Sequence, residues 1–173
     1  HPGTRLLTDA REAINSPAID AVIIATPVST HYELAHRALV EGKNVLVEKP
    51  MTTSSDEAKA LIDEAAKRRL ILTVDHTFIY TGAVRKAREI IQAGKLGNIY
   101  YFDSVRVNLG LFQSDTNVLW DLATHDLSIL DYALGATPVA VSCHGARHSP
   151  NHSEYIAYLT MHCNDNILAH VHV

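Results

Sequence analysis

The sequence predicts an α/β fold: the C-terminal half of a doubly wound parallel sheet, followed by an α+β domain with an open, mainly antiparallel sheet. Three observations predict it. Short apolar runs at residues 20–26, 45–49 and 70–74 alternate with capped helical segments. Strand, helix, strand, helix, strand implies parallel pairing through right-handed crossovers. After about residue 76 the last three strand signals come in succession with turn residues between them, which favours an antiparallel or mixed sheet.

Taken in order, the first helix opens at Asp9, with Glu12 completing a capping box. Residues 20–26 then read as a buried strand. Thr30 and Glu33 form a second capping box, opening a helix that ends at Gly42. The strand at 45–49 follows, ending in Glu48-Lys49-Pro50; Pro50 lacks a backbone donor and pushes Lys49 towards an extended conformation. Ser54 and Glu57 cap a helix with Ala58, Leu61, Ile62 and Ala65 on its apolar face, which leads to the strand at 70–74.

The second part begins with a helix over 83–94 and a long strand near 98–107. An irregular polar stretch at 108–117 precedes a helix over 119–134, stopped by Gly135. Strands near 138–144, 155–162 and 167–173 are separated by Ser149-Pro150-Asn151 and Asn164-Asp165-Asn166. The change of pattern places a domain boundary between residues 74 and 77. His1-Pro2-Gly3-Thr4 runs almost directly into a helix signal and the last residues lie within an alternating strand, so both ends read as cut.

A chain of 173 residues that is 47% hydrophobic buries one good core or two small ones. Its net charge of −4 and its lack of a basic block argue against nucleic acid or an anionic membrane as the main partner. There is neither a membrane-spanning run nor a signal-peptide pattern, so a cytoplasmic enzyme or binding protein is expected. Cys143 and Cys163 fall in predicted strands and read as buried free thiols.

Two constellations carry chemistry. Glu48 and Lys49 lie at the carboxyl end of a parallel strand, the edge where open α/β sheets bind ligands. Taken alone, Glu-Lys-Pro also fits an exposed lysine before a turn. On the 119–134 helix Asp121 and His125 are four apart and share one face, so the carboxylate can orient the imidazole and raise its basicity. A solvated ion pair has the same spacing. His144, His148 and His152 recur every four residues and His170 and His172 share a strand face, but the spacing is not helical and no metal motif accompanies it. Tyr100, Tyr101 and Phe102 read as strand packing and Trp120 as core.

Ala25-Thr26-Pro27-Val28-Ser29-Thr30-His31, Glu48-Lys49-Pro50 and Asp121-x-x-x-His125, in that order and spacing, resemble the glucose–fructose oxidoreductase/inositol dehydrogenase/MocA-type family over essentially the whole chain. The resemblance implies a partial dinucleotide-binding Rossmann domain at 1–75 and a partial substrate-binding and oligomerisation domain at 76–173. Its cofactor is NAD or NADP. Lys49 is similar to the lysine that contacts the hydroxyl being oxidised, with His125 as proton acceptor beside Asp121. Lys49 acts either as the base or as a cation stabilising the developing alkoxide. The resemblance places Thr26, Pro27 and His31 around the cofactor ribose and pyrophosphate, Glu48 on the nicotinamide ribose and His76 near the nicotinamide. It also implies a cis Lys49–Pro50 bond and a homo-oligomer, dimer or tetramer, through the C-terminal sheet.

Two features depart from the family pattern. No Gly-x-Gly occurs in the sequence, so the glycine-rich pyrophosphate turn is expected upstream of His1 in a longer protein. Asn117-Val118-Leu119-Trp120 stands where relatives carry glycines before the aspartate. The expected activity is hydride transfer between NAD(P) and a sugar, cyclitol or nucleotide-sugar hydroxyl. The alternatives are a non-catalytic sugar-binding or assembly module and, from the histidines, a metal-dependent lyase or isomerase.

Overall fold

The computed structural model describes residues 3–107, 116–148 and 153–173, which fall into two compact units, His1–Asp75 and His76–Val173. The turn at 149–151, His152 and most of the polar stretch at 108–117 lie outside the described residues.

In the first unit α1 (Ala10–Ile14) is capped by the Asp9 carboxylate, which accepts from the Arg11 amide at 2.9 Å, while Glu12 faces Arg5 at 3.7 Å. Strands β1 (Ala21–Ile24), β2 (Asn44–Val47) and β3 (Leu72–Val74) pair in parallel in the order β1-β2-β3. Helices α2 (His31–Val40) and α3 (Ser55–Arg68) make the crossovers. The Ser54 hydroxyl accepts from the Glu57 amide at 3.3 Å, and Glu57 returns to the Thr53 amide at 3.2 Å. Arg69 ends α3 in the left-handed conformation, φ 59°, that glycine more often supplies. Ile14, Ile24, Leu39, Val45, Val47 and Leu61 close the core.

Two expectations change here. Ile23 is 74% exposed where a buried strand was expected, because alternation along β1 buries Ile24 and turns Ile23 to the other face of the described sheet. Ile62, placed on the apolar face of α3, is exposed.

The second unit contains α4 (Gly82–Gln92), β4 (Tyr101–Val105), a π-helical turn (Leu119–Ala123), α5 (Thr124–Leu134), β5 (Pro138–Ala146), β6 (Ile156–Cys163) and β7 (Leu168–His172). Its sheet has the order β4-β7-β6-β5 and is mixed: β4 runs parallel to β7, and the other two pairings are antiparallel. β4 is shorter than the long strand expected. Gly135 (φ 62°) ends α5, and Asp165 and Asn166 take positive φ in the turn before β7.

One side of this sheet joins Phe102, Leu159, Met161, Ala169 and Val171 to Leu122 and Leu130 in a core. The other side is uncovered among the described residues. Tyr101 and Tyr100 are exposed there or at its margin, against the expected packing; only Phe102 of that trio packs inward. Period-two alternation explains the split. Cys143 is exposed and Cys163 buried, so one of the two expected buried thiols is not buried. Trp120 is 40% exposed rather than part of the core.

Candidate functional site

The first cluster forms where β1 and β2 end. Beyond β1, Thr26 and Pro27 lead into a short 3₁₀ turn, Val28–Thr30, that opens α2. The Thr30 hydroxyl donates to the Pro27 carbonyl at 2.8 Å and lies 2.6 Å from the Thr26 hydroxyl. The capping box expected from Thr30 and Glu33 does not form. Thr30 has helical dihedrals (φ −103°, ψ −9°) instead of the extended ones an N-cap uses, and its hydroxyl turns back to the preceding loop.

His31, 1% exposed, joins this loop to the next. Its Nε2 lies 2.9 Å from the Thr26 carbonyl oxygen and its Nδ1 2.9 Å from the Pro50 carbonyl oxygen. Both ring nitrogens thus meet backbone carbonyls of the two loops that the resemblance places around the cofactor. The fold holds His31 beneath the loops rather than on their surface.

β2 delivers Glu48 and Lys49, both half-buried, to the same edge. The Glu48 amide donates to the Ile24 carbonyl at 2.9 Å, prolonging the β1–β2 ladder by one bond, and the Lys49 amide lies 3.3 Å from the Glu48 carboxylate. The Lys49–Pro50 bond is cis. Thr26, Pro27, Glu48 and Lys49 therefore gather at the carboxyl edge of the parallel sheet, with His31 joining their two loops.

The second cluster lies wholly in the second unit. His76 precedes a 3₁₀ turn, Thr77–Tyr80, which packs on α5. The Phe78 ring meets the His125 ring edge-on at 4.8 Å between centroids. The Arg106 guanidinium lies 4.5 Å over the other partner of that contact, Phe78. Asp121 falls in the π-helical turn and His125 in the first turn of α5. Asn117 holds the start of this segment, accepting the Trp120 amide on its side chain at 3.1 Å and the Asp121 amide on its carbonyl at 3.0 Å. A single π turn inside a helix recurs at functional sites.

Asp126, the residue after His125, carries no motif that assigns it a role. It is 2% exposed and accepts from Ser104 Oγ at 2.7 Å and from Arg106 Nε and Nη2 at 2.8 and 3.1 Å. The signal was faint: Ser104 on β4 and Arg106 just past its end alternate, and a charge directly follows His125. Among the described residues no group of three or more His, Cys, Asp or Glu could hold a metal ion. His148 instead meets the Tyr155 hydroxyl at 2.7 Å, and His170 meets Asp103 at 3.1 Å.

Comparison with known proteins decides the family. A family model described as an oxidoreductase family with an NAD-binding Rossmann fold matches residues 1–76, and the GFO/IDH/MocA C-terminal domain matches residues 84–173. The chain belongs to the GFO/IDH/MocA oxidoreductase family. It is 34% identical over 142 residues to scyllo-inositol 2-dehydrogenase (NAD(+)) of Bacillus subtilis (strain 168), covering 79% of this chain and 42% of that protein. It is 38% identical over 128 residues to UDP-N-acetylglucosamine 3-dehydrogenase of Acidithiobacillus ferrooxidans, covering 73% of this chain and 40% of that one. An oxidoreductase from Pseudomonas syringae superposes with a TM-score of 0.83 at 27% identity, over 94% of this chain and 46% of its own. The chain thus spans about two fifths of the length of these curated family members.

The dinucleotide fits the first cluster in part. A carboxylate and two threonine hydroxyls stand at the carboxyl edge of a parallel sheet, where ribose hydroxyls find partners. The glycine-rich turn that would cradle its pyrophosphate is not among these residues.

Proposed function

We propose that this chain is part of an NAD(P)-dependent dehydrogenase acting on a sugar, cyclitol or nucleotide-sugar hydroxyl. The observation that carries the reading is the placement of Glu48 and Lys49 at the carboxyl edge of the parallel sheet, beside Thr26 and Pro27. The names of the curated family members, an inositol dehydrogenase and a nucleotide-sugar dehydrogenase, support the substrate class.

When bound, the nicotinamide supplies the two-electron acceptor for the hydride that leaves the carbinol carbon. The chain's own part is to bind and to move the proton. Glu48 and Thr26 bind ribose hydroxyls, and Pro27 shapes the turn beside them. Lys49 hydrogen-bonds the reacting hydroxyl. His125, braced by Phe78 and accompanied by Asp121, accepts the hydroxyl proton as the carbonyl forms. His76 lies beside the nicotinamide.

The assembly we propose is a homo-oligomer, dimer or tetramer, through the open side of the second unit's sheet, where Tyr101, Val105, Tyr158 and Leu168 are exposed. Light scattering on the purified protein tests it. The free cysteines, one of them exposed, fit a reducing compartment such as the cytoplasm. No helix among the described residues is long and apolar enough to cross a membrane.

The deciding experiment screens sugars, inositols and nucleotide-sugars for nicotinamide reduction with the protein as its host produces it, then repeats the best substrate with Lys49→Ala. Turnover that collapses in the variant is expected. Turnover that survives unchanged would overturn the assignment.

A further inference from the structure

Two carbonyl oxygens flank the His31 ring, one at each nitrogen and both at 2.9 Å. A carbonyl only accepts, and a neutral imidazole donates from one nitrogen while presenting a lone pair at the other. With one proton, the ring would hold one carbonyl and repel its counterpart. Both contacts close together only when both nitrogens carry hydrogen.

The surroundings make this arrangement costly enough to require a reason. The ring is 1% exposed and opens α2, whose N-terminal end disfavours a cation. The two carbonyls are what offset that cost, and they belong to different loops. Thr26 ends the segment after β1, and Pro50 directly follows Lys49. These positions are 5 and 19 residues from His31 in sequence, so one side chain spans both loops.

We propose that His31 is a positioning residue which, doubly protonated, donates to Thr26 and Pro50 at once and so locks the Thr26 turn and the lysine turn into one rigid unit. It touches no substrate. It acts through Lys49 and Thr26, and to that extent rests on the function proposed above. Its effect is to fix the distance between the lysine ammonium and the cofactor-side hydroxyls, which productive geometry requires.

The test needs no activity. Nitrogen-labelled protein is examined at about pH 6 by NMR correlations within the histidine rings; exposed rings lose their N–H protons to exchange, whereas buried, hydrogen-bonded ones keep them. Two slowly exchanging ring N–H signals that disappear in His31→Gln are expected. A single His31 ring N–H, or none, would overturn the proposal.

Hydrogen exchange of backbone amides gives the second readout. A glutamine amide donates from one nitrogen and cannot reach two carbonyls on opposite sides. In His31→Gln the amides of Thr30 and Glu48 should exchange about tenfold faster or more, while those in the middle of α3 keep their protection. Uniform loss throughout the unit would mark His31 as general packing and sink the positioning role. If the ring signals are as expected and the substrate screen finds no turnover, the lock stands and the dehydrogenase reading falls.

Discussion

Arg106 meets the buried carboxylate of Asp126 with two nitrogens, Nε at 2.8 Å and Nη2 at 3.1 Å, across 20 residues of sequence. The pair fastens α5, at the residue next to His125, to the segment just past β4, and Ser104 on β4 donates to the same carboxylate at 2.7 Å. A bidentate fork on a carboxylate fixes orientation as well as distance.

Removing one partner of a buried pair leaves the other charge uncompensated. Asp126→Ala should therefore destabilise the protein by about 3 kcal/mol, the lower end of the usual range because the Arg106 side chain is partly exposed. Urea denaturation followed by Trp120 fluorescence measures it; a loss below about 1 kcal/mol would show that the pair is not a brace.

Lys49→Ala removes a half-buried amine from the sheet edge without opening a core cavity. Turnover should fall about a hundredfold or more, as for loss of a group that moves or stabilises the reacting proton. The midpoint of thermal unfolding should hardly move. Lys49→Arg keeps the charge but changes its shape and should not restore turnover.

Leu61 is fully buried at the centre of α3, facing the parallel sheet. Leu61→Ala should cost about 2–5 kcal/mol, the transfer of the lost methyl groups plus the cavity left behind. Ile62→Ala, one residue on and exposed, should cost well under half as much by the same measurement. Equal losses would mean that the face of α3 is misassigned.

Glu64 sits on α3 with Arg68 and Lys67 at helical spacing, and its hydrogen bond to Arg68 holds the carboxyl below the usual carboxylate range, with Lys67 adding to the effect. A carboxyl lowered in the folded state contributes stability that is present above its unfolded value and lost as pH falls through its folded one. Glu64→Gln should therefore lower the melting temperature at neutral pH, with the difference vanishing in strong acid. A difference that persists there would be due to packing.

Cys143 is exposed on β5 and Cys163 buried on β6. Alkylation of the native protein should modify one thiol rapidly, and peptide mapping should place it at Cys143; unfolding should free the second. Rapid double labelling of the native protein would contradict the burial of Cys163.

The sequence by itself determined the alternation of strands and helices, the parallel pairing of the first unit and the delivery of Glu48 and Lys49 to a strand end. These follow from local causes: periodicity, caps and the restrictions of proline, each acting within a few residues. Tertiary structure decided what depends on partners far along the chain. Asp126 shows no sign of its fork to Arg106 until β4 and α5 pack. His31 reads only as part of a loop until the Pro50 and Thr26 carbonyls meet its ring, and Thr30 reads as a helix cap until its hydroxyl finds Pro27. Ile23, Trp120 and Tyr101 are apolar residues that sequence assigns to a core. For Ile23 and Tyr101 exposure is settled by which face of each sheet is covered among the described residues, and no local pattern encodes that.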